Sequence, residues 1–498
     1  MSFKKITALI IAVLMIVVSL SACALKSSTA DSTESGSVQT SDTSVTTDDG
    51  NELFTDRDYE TDYDASSAVN ITLSGDTASA SDTSDVAIDG STVTITDEGV
   101  YILSGTLTDG QIIVVAQDAD KVQLVLDGVT LNCSSGAAVY VKTADKVFIT
   151  TSENSENTLT VSGEFAADGD TNVDAVIFSK SDLTLNGKGT ITIATDYGNG
   201  ITSKDDLKIT SGNYDIDVSG KGLEANDSIR IADGEFVISC DDDALHSNDY
   251  TTIIGGTFTI YTGDDGIHSD GATTITGGTV NIENSYEGIE GQQIYISGGE
   301  ISVKSSDDGL NAAGGNDQSG YGSMVDEFAA DADALISISG GTLTVNAEGD
   351  GIDSNDSLEI SGGTVYVNGP TNSGNGALDY NGTATITGGT LVAVGASGMA
   401  MNFSEANQGS ILVNFSQSIS GGEVTVTDSN GNTIVSFTAS KSYNSVLVSS
   451  PDLVKGSTYT VTAGGQSETV NLSDNLYGSG SGMGMGGGRQ GGGMGGRP

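Results

Sequence analysis

Carboxylate side chains recur at fixed positions of a repeat in the middle of this 498-residue chain, a pattern that can bind cations. The predicted metal ligands are Asp242, Asp243, Asp264, Asp265, Glu287, Glu290, Asp307, Asp308, Asp350 and Asp353. Carboxylates stacked ~4.8 Å apart on neighbouring strands repel, and Ca²⁺, which takes oxygen ligands at ~2.3–2.6 Å, relieves that repulsion. Mg²⁺ fits less well because it demands tight octahedral geometry. The alternative is an exposed acidic corner that only keeps the domain soluble.

Further polar residues of the same repeat, in or next to the units that carry the predicted metal ligands, are expected to contact a ligand. They are Glu224, His246, His268, Asn311 and Tyr286. His246 and His268 lie one unit apart between Glu224 and Glu290, a donor set that could hold Zn²⁺. We favour a polar surface for the histidine pair over a transition-metal site.

Lys221 is the residue to consider as a catalytic base, since it occupies the repeat position of Asp243 one unit earlier. A calcium-dependent polysaccharide lyase needs a base to remove the proton α to a uronate carboxylate. A salt bridge from Lys221 to Asp242 or Asp243 explains the same residue without catalysis. Carboxylate pairs suited to glycoside hydrolysis arise by accident in any acidic ladder. We therefore predict no catalytic residue and keep Lys221 for the lyase alternative.

The elements that position these residues follow from a period of about 22 residues. A small residue that precedes Ile or Leu marks most units, at Gly200, Gly222, Ala244, Gly266, Gly288, Gly309, Gly351, Ala377 and Gly398. Short β-branched strands and Gly-Gly pairs fill each unit, which excludes helical repeats. The sequence predicts an all-β fold, a right-handed parallel β-helix with end caps and about 22 residues per coil.

One interval of the repeat is longer and carries an insert at residues 315–334, which we expect to fold over the acidic ladder. The β-helix is predicted over residues 51–401. Residues 402–475 read as antiparallel strands that form a C-terminal cap or a small β-domain. The Gly, Met and Arg composition of residues 476–498 predicts a disordered tail. Cys133 and Cys240 lie several coils apart, so we expect two buried free thiols.

The first 50 residues are predicted to be a secretory signal followed by a disordered tether. Lys4 and Lys5 precede a short apolar run, which is typical of a secretory signal over residues 1–22. The run ends in Leu20-Ser21-Ala22-Cys23, which resembles a bacterial lipobox and implies a lipid on Cys23. Residues 23–50 are Ser, Thr and Asp, too polar to fold. We expect an extracellular protein held to the membrane through its lipid alone.

The charge balance excludes whole classes of partner. With 18 Lys+Arg against 68 Asp+Glu, the net charge is −50, whereas nucleic-acid binding needs a basic footprint. A bare surface of this charge would also repel an acidic polymer unless cations lie between them. The chain has no Trp for an aromatic platform. The tyrosines that could replace it are Tyr197, Tyr261, Tyr286 and Tyr321, for which ordinary packing is slightly favoured.

Four features resemble one known family. They are the coil motif, the opening stretch Thr96-Asp97-Glu98-Gly99-Val100-Tyr101-Ile102-Leu103-Ser104-Gly105, the segment Val125-Leu126-Asp127-Gly128-Val129-Thr130-Leu131, and the Gly/Met/Arg tail. Together they resemble the secreted clostridial carbohydrate-binding β-helix family over roughly residues 52–475. The resemblance implies a pectate-lyase-like shape, bound calcium, and binding of polygalacturonate and cellulose-like material without lyase chemistry.

We therefore expect a non-catalytic, calcium-dependent binder of polysaccharide, with acidic plant polysaccharide (polygalacturonate or pectin) favoured and cellulose-like glycans next. The expected cofactor is Ca²⁺ and the expected state is a monomer. The alternatives are a calcium-dependent pectate lyase and a structural or adhesive surface protein without a glycan ligand.

Overall fold

The chain folds as a parallel β-helix, described here by a computed structural model over residues 53–313 and 333–478. It has about 13 turns of ~23 residues each, so the predicted solenoid is confirmed. Within the described residues, 39 strands form one continuous hydrogen-bonded system and four strands form a second sheet. One short helix, α1 (Asp56–Tyr59), precedes them.

The strands follow one another in chain order with short connections. The N-terminal strands are β1 (Val69–Gly75), β2 (Thr77–Ala80), β3 (Val86–Asp89), β4 (Thr92–Ile95), β5 (Gly99–Leu107), β6 (Gln111–Val115), β7 (Lys121–Cys133), β8 (Val139–Thr143), β9 (Lys146–Thr151), β10 (Glu156–Val161), β11 (Ala175–Ser179), β12 (Asp182–Gly187) and β13 (Thr190–Thr195). The central strands are β14 (Asn199–Ser203), β15 (Leu207–Ile209), β16 (Asn213–Val218), β17 (Leu223–Ala225), β18 (Ser228–Ile231), β19 (Glu235–Cys240), β20 (Leu245–Ser247), β21 (Tyr250–Ile253), β22 (Thr257–Thr262), β23 (Ile267–Ile275), β24 (Thr279–Ser285), β25 (Ile289–Ile296), β26 (Glu300–Ser305), β27 (Leu310–Ala312), β28 (Leu335–Ile338), β29 (Thr342–Ala347), β30 (Ile352–Ser354), β31 (Ser357–Ile360), β32 (Thr364–Asn368), β33 (Asp379–Tyr380), β34 (Ala384–Ile386), β35 (Thr390–Gly395) and β36 (Glu405–Ala406). The C-terminal strands are β37 (Gly409–Ile419), β38 (Gly422–Asp428), β39 (Thr433–Ala439), β40 (Tyr443–Ser450), β41 (Thr458–Ala463), β42 (Gln466–Asn471) and β43 (Leu476–Tyr477).

Each coil contributes one strand to each of three faces. Face A runs through β8, β11, β14, β17, β20, the start of β23 and of β25, β27, β30 and β33. Face B runs through β9, β12, β15, β18, β21, the rest of β23 and of β25, β28, β31 and β34. Face C runs through β10, β13, β16, β19, β22, β24, β26, β29, β32 and β35. The corner from face C to face A carries the acidic residues.

The interior is a set of apolar ladders, as the repeat predicts. On face A the ladder is fully or almost fully buried and consists of Ile201, Leu223, Leu245, Ile267, Ile289, Leu310, Ile352 and Leu378. On face C, Tyr214, Phe236 and Phe258 stack inside the solenoid with ring centroids 4.9 and 4.5 Å apart. No single coil could bury these side chains alone, so the stacking of coils supplies the hydrophobic stabilisation.

The Gly-Gly pairs make the turn between faces B and C. At Gly255-Gly256, a Cβ on the first glycine would lie 2.3 Å from the carbonyl oxygen of Ala232 in the preceding coil. The second glycine has a φ of +91°, which favours glycine. The same two demands recur in each later coil, so the pair is retained by sterics.

The two ends depart from the parallel pattern. At the start, β1 pairs antiparallel with β2, and β3 with β4. At the other end β40 pairs antiparallel with β35 and β37, and β38, β39, β41 and β42 form the separate antiparallel sheet. These strands enclose their own apolar core, which includes Val424, Val426, Val448 and Val461.

Several predictions lie outside the described residues, namely the signal, the lipidation at Cys23, the tether, Tyr321, residues 315–332 of the insert and residues 479–498 of the tail. Among the described residues no helix is long and apolar enough to cross a membrane. Cys133 and Cys240 are both free and buried, which confirms that prediction.

Candidate functional site

The polar residues of the repeat form two parallel columns beside the corner between faces C and A. The corner column consists of Asn199, Lys221, Asp243, Asp265, Glu287, Asp308 and Asp350, each one residue before the marker. The strand column lies on face A, where register pairs Thr202, Glu224, His246, His268, Glu290, Asn311, Asp353 and Asp379 in successive coils. The repeat therefore places the predicted site residues side by side.

The corner column has a structural role that the sequence pattern does not predict. Oδ1 of Asp243 accepts a hydrogen bond of 3.1 Å from the backbone N–H of Asp265, and Oδ1 of Asp265 accepts one of 3.2 Å from Glu287. Asn199 and Asp308 bond in the same way to Lys221 and Asp350, at 2.8 and 2.5 Å. A short side-chain acceptor thus satisfies a backbone donor one coil on, which explains Asp and Asn here without any metal.

In the first part of the two columns, which we call the cation-paired segment, Lys221, His246 and His268 contact several of the carboxylates. Nζ of Lys221 lies 2.8 Å from Asp242 Oδ1 and 2.5 Å from Asp243 Oδ2. Nδ1 of His246 lies 2.8 Å from the same Asp243 Oδ2. Burial alone would raise the pKa of Asp243, but His246 and Lys221 hold it well below its usual range. The Asp243 charge is therefore fully compensated by side chains.

Lys221 is held in the protonated form by the same contacts. Burial alone would lower the pKa of Lys221, but the neighbouring carboxylates raise it above its usual value. A base must be able to accept a proton near the working pH. The salt-bridge interpretation of Lys221 fits this geometry.

His268 is the centre of the cation-paired segment and is fully buried, although we expected the strand column to face solvent. Its Nδ1 lies 2.8 Å from Glu290 Oε2 and 3.1 Å from Asp265 Oδ2, and its Nε2 lies 3.3 Å from Asp270 Oδ1. Burial would lower its pKa, but the hydrogen bonds to Asp265 and Glu290 raise the pKa of His268 to about 11. The His268 ring therefore lies between carboxylates of two successive coils, where the sequence predicted a metal ion.

These contacts occupy both ring nitrogens of His268, which Zn²⁺ would need as ligands. Although Asp243, His246 and His268 offer ligand atoms within 4.8 Å of one another, both nitrogens of His268 face carboxylate oxygens. A metal-bound histidine must offer a deprotonated nitrogen. The His246 ring stacks on His268 with centroids 4.8 Å apart and planes 17° apart. Burial also removes His268 from the surface that a sugar could reach.

The second part, which we call the carboxylate-only segment, consists of Asp308, Asp350 and Asp353. These three half-buried residues offer one carboxylate oxygen each within 4.8 Å of one another. Among the described residues, no Lys, Arg or His forms an ion pair with them. Asp379 stands next to Asp353 in the strand column. The segment therefore concentrates negative charge that no side-chain cation offsets.

The electrostatics of this segment reflect that imbalance. Burial, followed by the charges of Asp350 and Asp353, raises the pKa of Asp308 to about 9. Burial raises the pKa of Asp350 and of Asp353 to about 7 each, with a further contribution from neighbouring aspartates. Such a group must either hold a proton or gain a cation.

Asn311 adds an oxygen to the same neighbourhood. Its Nδ2 donates a 2.9 Å hydrogen bond to Glu287 Oε2 on the preceding coil, while its buried Oδ1 has no hydrogen-bond partner. Asn311 pairs in register with Asp353 in the strand column. Buried acceptors are normally satisfied, so an unpartnered one beside three carboxylates fits an oxygen-ligated ion such as Ca²⁺.

The tyrosines near the corner are exposed, which corrects our preference for ordinary packing. Tyr197, Tyr261 and Tyr286 are 46%, 48% and 39% exposed. The Tyr286 hydroxyl bonds to Asp307, and this bond with burial raises its pKa above the usual range. Tyrosine carries a polar hydroxyl that water can still reach, so exposure at the end of a strand costs little.

Glu224 differs from the later members of the strand column. Its Oε2 accepts hydrogen bonds from Thr202 Oγ1 at 2.8 Å and Asn199 Nδ2 at 3.0 Å, and Lys204 lies 3.7 Å away. Oε2 of Glu224 thus already has partners within the protein. Of the predicted ligands, the structure brings Asp242, Asp243 and Asp264 together in a further cluster, but Lys221 already contacts two of them.

The site includes contacts that the sequence reasoning missed. Asp270 contacts His268 from the irregular part of β23 between Ser269 and Ala272, and Asp379 extends the carboxylates by one coil. Asp379 occupies the strand-column position of the repeat, but it was not among the predicted ligands. Asp270 follows the marker by four residues, and nothing in the 22-residue pattern connects it with a histidine two residues earlier.

The known proteins to which this chain is similar are described by carbohydrate binding or by a likeness to polysaccharide lyases. Residues 89–332 match the family described as "Carbohydrate-binding domain-containing protein". A curated protein of the same description from Acetivibrio thermocellus is 37% identical over 145 residues, which are 29% of this chain and 51% of that protein. The chain therefore spans about half the length of this curated relative. The predicted resemblance to a clostridial carbohydrate-binding family is confirmed for the matched part.

A solved structure is also similar. It is described as the polysaccharide lyase-like protein from C. thermocellum in a gadolinium derivative, and it is 25% identical to this chain. The similarity covers 64% of this chain and 96% of that one, with a TM-score of 0.35.

Proposed function

We propose that this protein is a non-catalytic, calcium-dependent carbohydrate-binding protein whose ion lies at the carboxylate-only segment and bridges to an acidic glycan. The observation that carries the proposal is the convergence of Asp308, Asp350 and Asp353, with oxygens within 4.8 Å of one another and no cationic partner among the described side chains. The family match over residues 89–332 supports the carbohydrate.

Calcium suits this donor set better than other common ions. The ligands on offer are carboxylate oxygens and the amide oxygen of Asn311, and Ca²⁺ takes six to eight such oxygens in a flexible geometry. Zinc prefers nitrogen and sulfur ligands, which this segment lacks. An ion that keeps part of its coordination open can bind a uronate carboxylate, which the net charge of −50 would otherwise repel.

We propose a binding rather than a catalytic role because the lysine that a lyase would need is occupied. Lys221 contacts two carboxylates, Asp242 and Asp243, in the cation-paired segment, several coils from Asp353. With the lipobox at Cys23, the proposal places the protein at the outer cell surface, where extracellular polysaccharide is present.

The test uses the full chain and polygalacturonate, with calcium supplied or chelated. Expected is binding that appears with calcium and disappears with chelator, without ultraviolet-absorbing unsaturated product. Asp353→Asn should abolish the calcium dependence, because it removes one of three ligands. The matched control is Asp215→Asn, which removes one exposed carboxylate from face C and should bind as the wild type does.

Each other outcome has a clear meaning. Unsaturated product that needs Lys221 would make the protein a lyase and overturn the proposal. Glycan binding that ignores both calcium and Asp353→Asn would remove the ion from the mechanism. Absence of both calcium and glycan binding would leave a structural surface protein.

A further inference from the structure

One coil breaks the regular register of face C beside the proposed site. Strand β24 contains one residue more than its neighbours, so Ile260 pairs with Ile282 but Tyr261 pairs with Asn284. The next coil shows the same shift, because Ile282 pairs with Val303 and Ser285 with Ser305. Bulges of this kind bend a strand and re-aim its side chains, and they are frequent next to functional sites.

The bulge lies between two exposed tyrosines on adjacent coils. Tyr261 lies directly across from Asn284, and Tyr286 follows the bulge by two residues, with its backbone N–H bonded to Asp264 O at 2.7 Å. Exposed fractions of 48% and 39% leave much of both rings open to solvent. Among the described residues, neither ring packs against another aromatic ring.

The apolar surface extends one coil further back. Val237 is 48% exposed and pairs with Thr259, two residues before Tyr261, so Val237 and Tyr261 point to the same side of face C. At the other side the patch joins the acidic corner, because the Tyr286 hydroxyl bonds to Asp307, the neighbour of Asp308 in sequence. An apolar strip therefore adjoins the carboxylate-only segment, and both belong to the same edge of the solenoid.

We propose that Tyr261 and Tyr286 form a stacking platform for the pyranose rings of the glycan, and that the platform and the ion bind the same chain. The inference rests on the proposed function and adds the subsite that holds the sugar ring. Tyrosine offers a rigid amphipathic surface at a low entropy cost, so its ring covers the C–H face of a sugar while its hydroxyl serves polar groups. The bulge also carries the exposed polar side chains of Glu283 and Asn284, and Nδ2 of Asn284 donates a 2.8 Å hydrogen bond to Thr262 O.

In this proposal, two different groups of the protein recognise two different parts of the glycan. The platform reads the ring face, which neutral and acidic sugars share, while the ion reads the uronate carboxylate. A neutral glucan should therefore bind through the tyrosines alone, with lower affinity and no calcium dependence. Polygalacturonate should use both.

The experiment measures binding of oligogalacturonate and of a soluble neutral glucan to the full chain by calorimetry. Tyr261→Ala and Tyr286→Ala should each weaken oligogalacturonate binding about tenfold and abolish neutral glucan binding, with an unchanged rise of the melting temperature on calcium addition. Tyr261→Phe should restore the affinity, because it retains the ring. The matched control is Tyr59→Ala, an equally exposed tyrosine at α1, which should bind as the wild type does.

The outcomes separate this inference from the function on which it rests. Wild-type affinity in both alanine variants, with affinity lost in Asp353→Asn, would overturn the platform and leave the ion site intact. Loss in the tyrosine variants with no effect of calcium or of Asp353→Asn would retain the platform and overturn the ion. If the wild-type chain binds neither glycan, both proposals fail.

Discussion

The two segments of the acidic columns share one backbone geometry and differ in how their charge is offset. In the cation-paired segment Lys221 and His268 contact the carboxylates of Asp243 and Glu290 at 2.5 and 2.8 Å. In the carboxylate-only segment Asp308, Asp350 and Asp353 offer oxygens within 4.8 Å of one another, without such a partner among the described residues. Coil stacking dictates the proximity in both places, so the difference lies in side-chain identity alone.

This comparison shows what a buried ion pair contributes to a solenoid. Stacking brings equivalent side chains to within ~4.8 Å, whether or not their charges agree. A protein can meet the resulting repulsion with a permanent internal cation or with an ion taken from solution. The first choice fixes stability, and the second makes stability and binding depend on the supply of the ion.

Removal of the internal cation, His268, should change the stability of the protein more than any other substitution considered. His268→Leu leaves Asp265 and Glu290 buried beside each other without a partner, so we expect the free energy of unfolding to fall by about 3–5 kcal/mol. Urea denaturation followed by circular dichroism measures the loss. The new carboxylate pair should also acquire a stabilising response to calcium that the wild-type segment lacks.

The control for that substitution is His246→Leu. His246 contacts one carboxylate, which Lys221 also contacts, and its side chain is 13% exposed, so its loss leaves Asp243 paired. A loss of stability in His268→Leu no greater than in this control would show that the buried imidazolium does not offset the two carboxylates.

In the carboxylate-only segment, a substitution is expected to raise the free energy of unfolding instead of lowering it. Without calcium, each of the three half-buried carboxyl groups must hold a proton or repel its neighbours. Asp353→Asn removes one of these groups and should raise the free energy of unfolding by about 1–3 kcal/mol at an effective dielectric constant of about 20. With calcium at one hundred times its dissociation constant, the wild type should gain about 2.7 kcal/mol and the variant nothing. Thermal melting with and without chelator measures both effects, and a calcium response retained by the variant would exclude Asp353 as a ligand.

The fold could be predicted because its determinants are local and periodic. The marker, the alternating β-branched residues and the Gly-Gly pairs recur every 22 residues, and register then places Ile201, Leu223 and Leu245 in one ladder without further information. The same register placed the candidate ligands in two columns. Periodicity thus determined which residues are neighbours.

Periodicity could not show which neighbours compensate one another. The sequence indicates that His268 follows His246 by one coil, but its burial and its contact with Asp270 depend on the irregular part of β23. Likewise, the bulge at β24 adds a single residue to a strand that otherwise follows the alternation. Such departures depend on three-dimensional packing, and they decide where the solenoid binds and where it only stacks.

The smallest expected effect concerns the imidazole of His268, which should not titrate near neutral pH. Because the folded pKa of His268 is raised to about 11 from 6.5, its imidazole should stay protonated from pH 6.5 to pH values well above neutral. Its stabilising contribution is fully present below pH 6.5 and is lost as the pH rises towards about 11. The chain contains two histidines, so proton NMR of the imidazole signals in the wild type and in His246→Leu assigns both resonances. A His268 signal that moves to its neutral position near pH 7 would show that the two segments do not differ in a permanent internal cation, and the contrast between them would then rest on position alone.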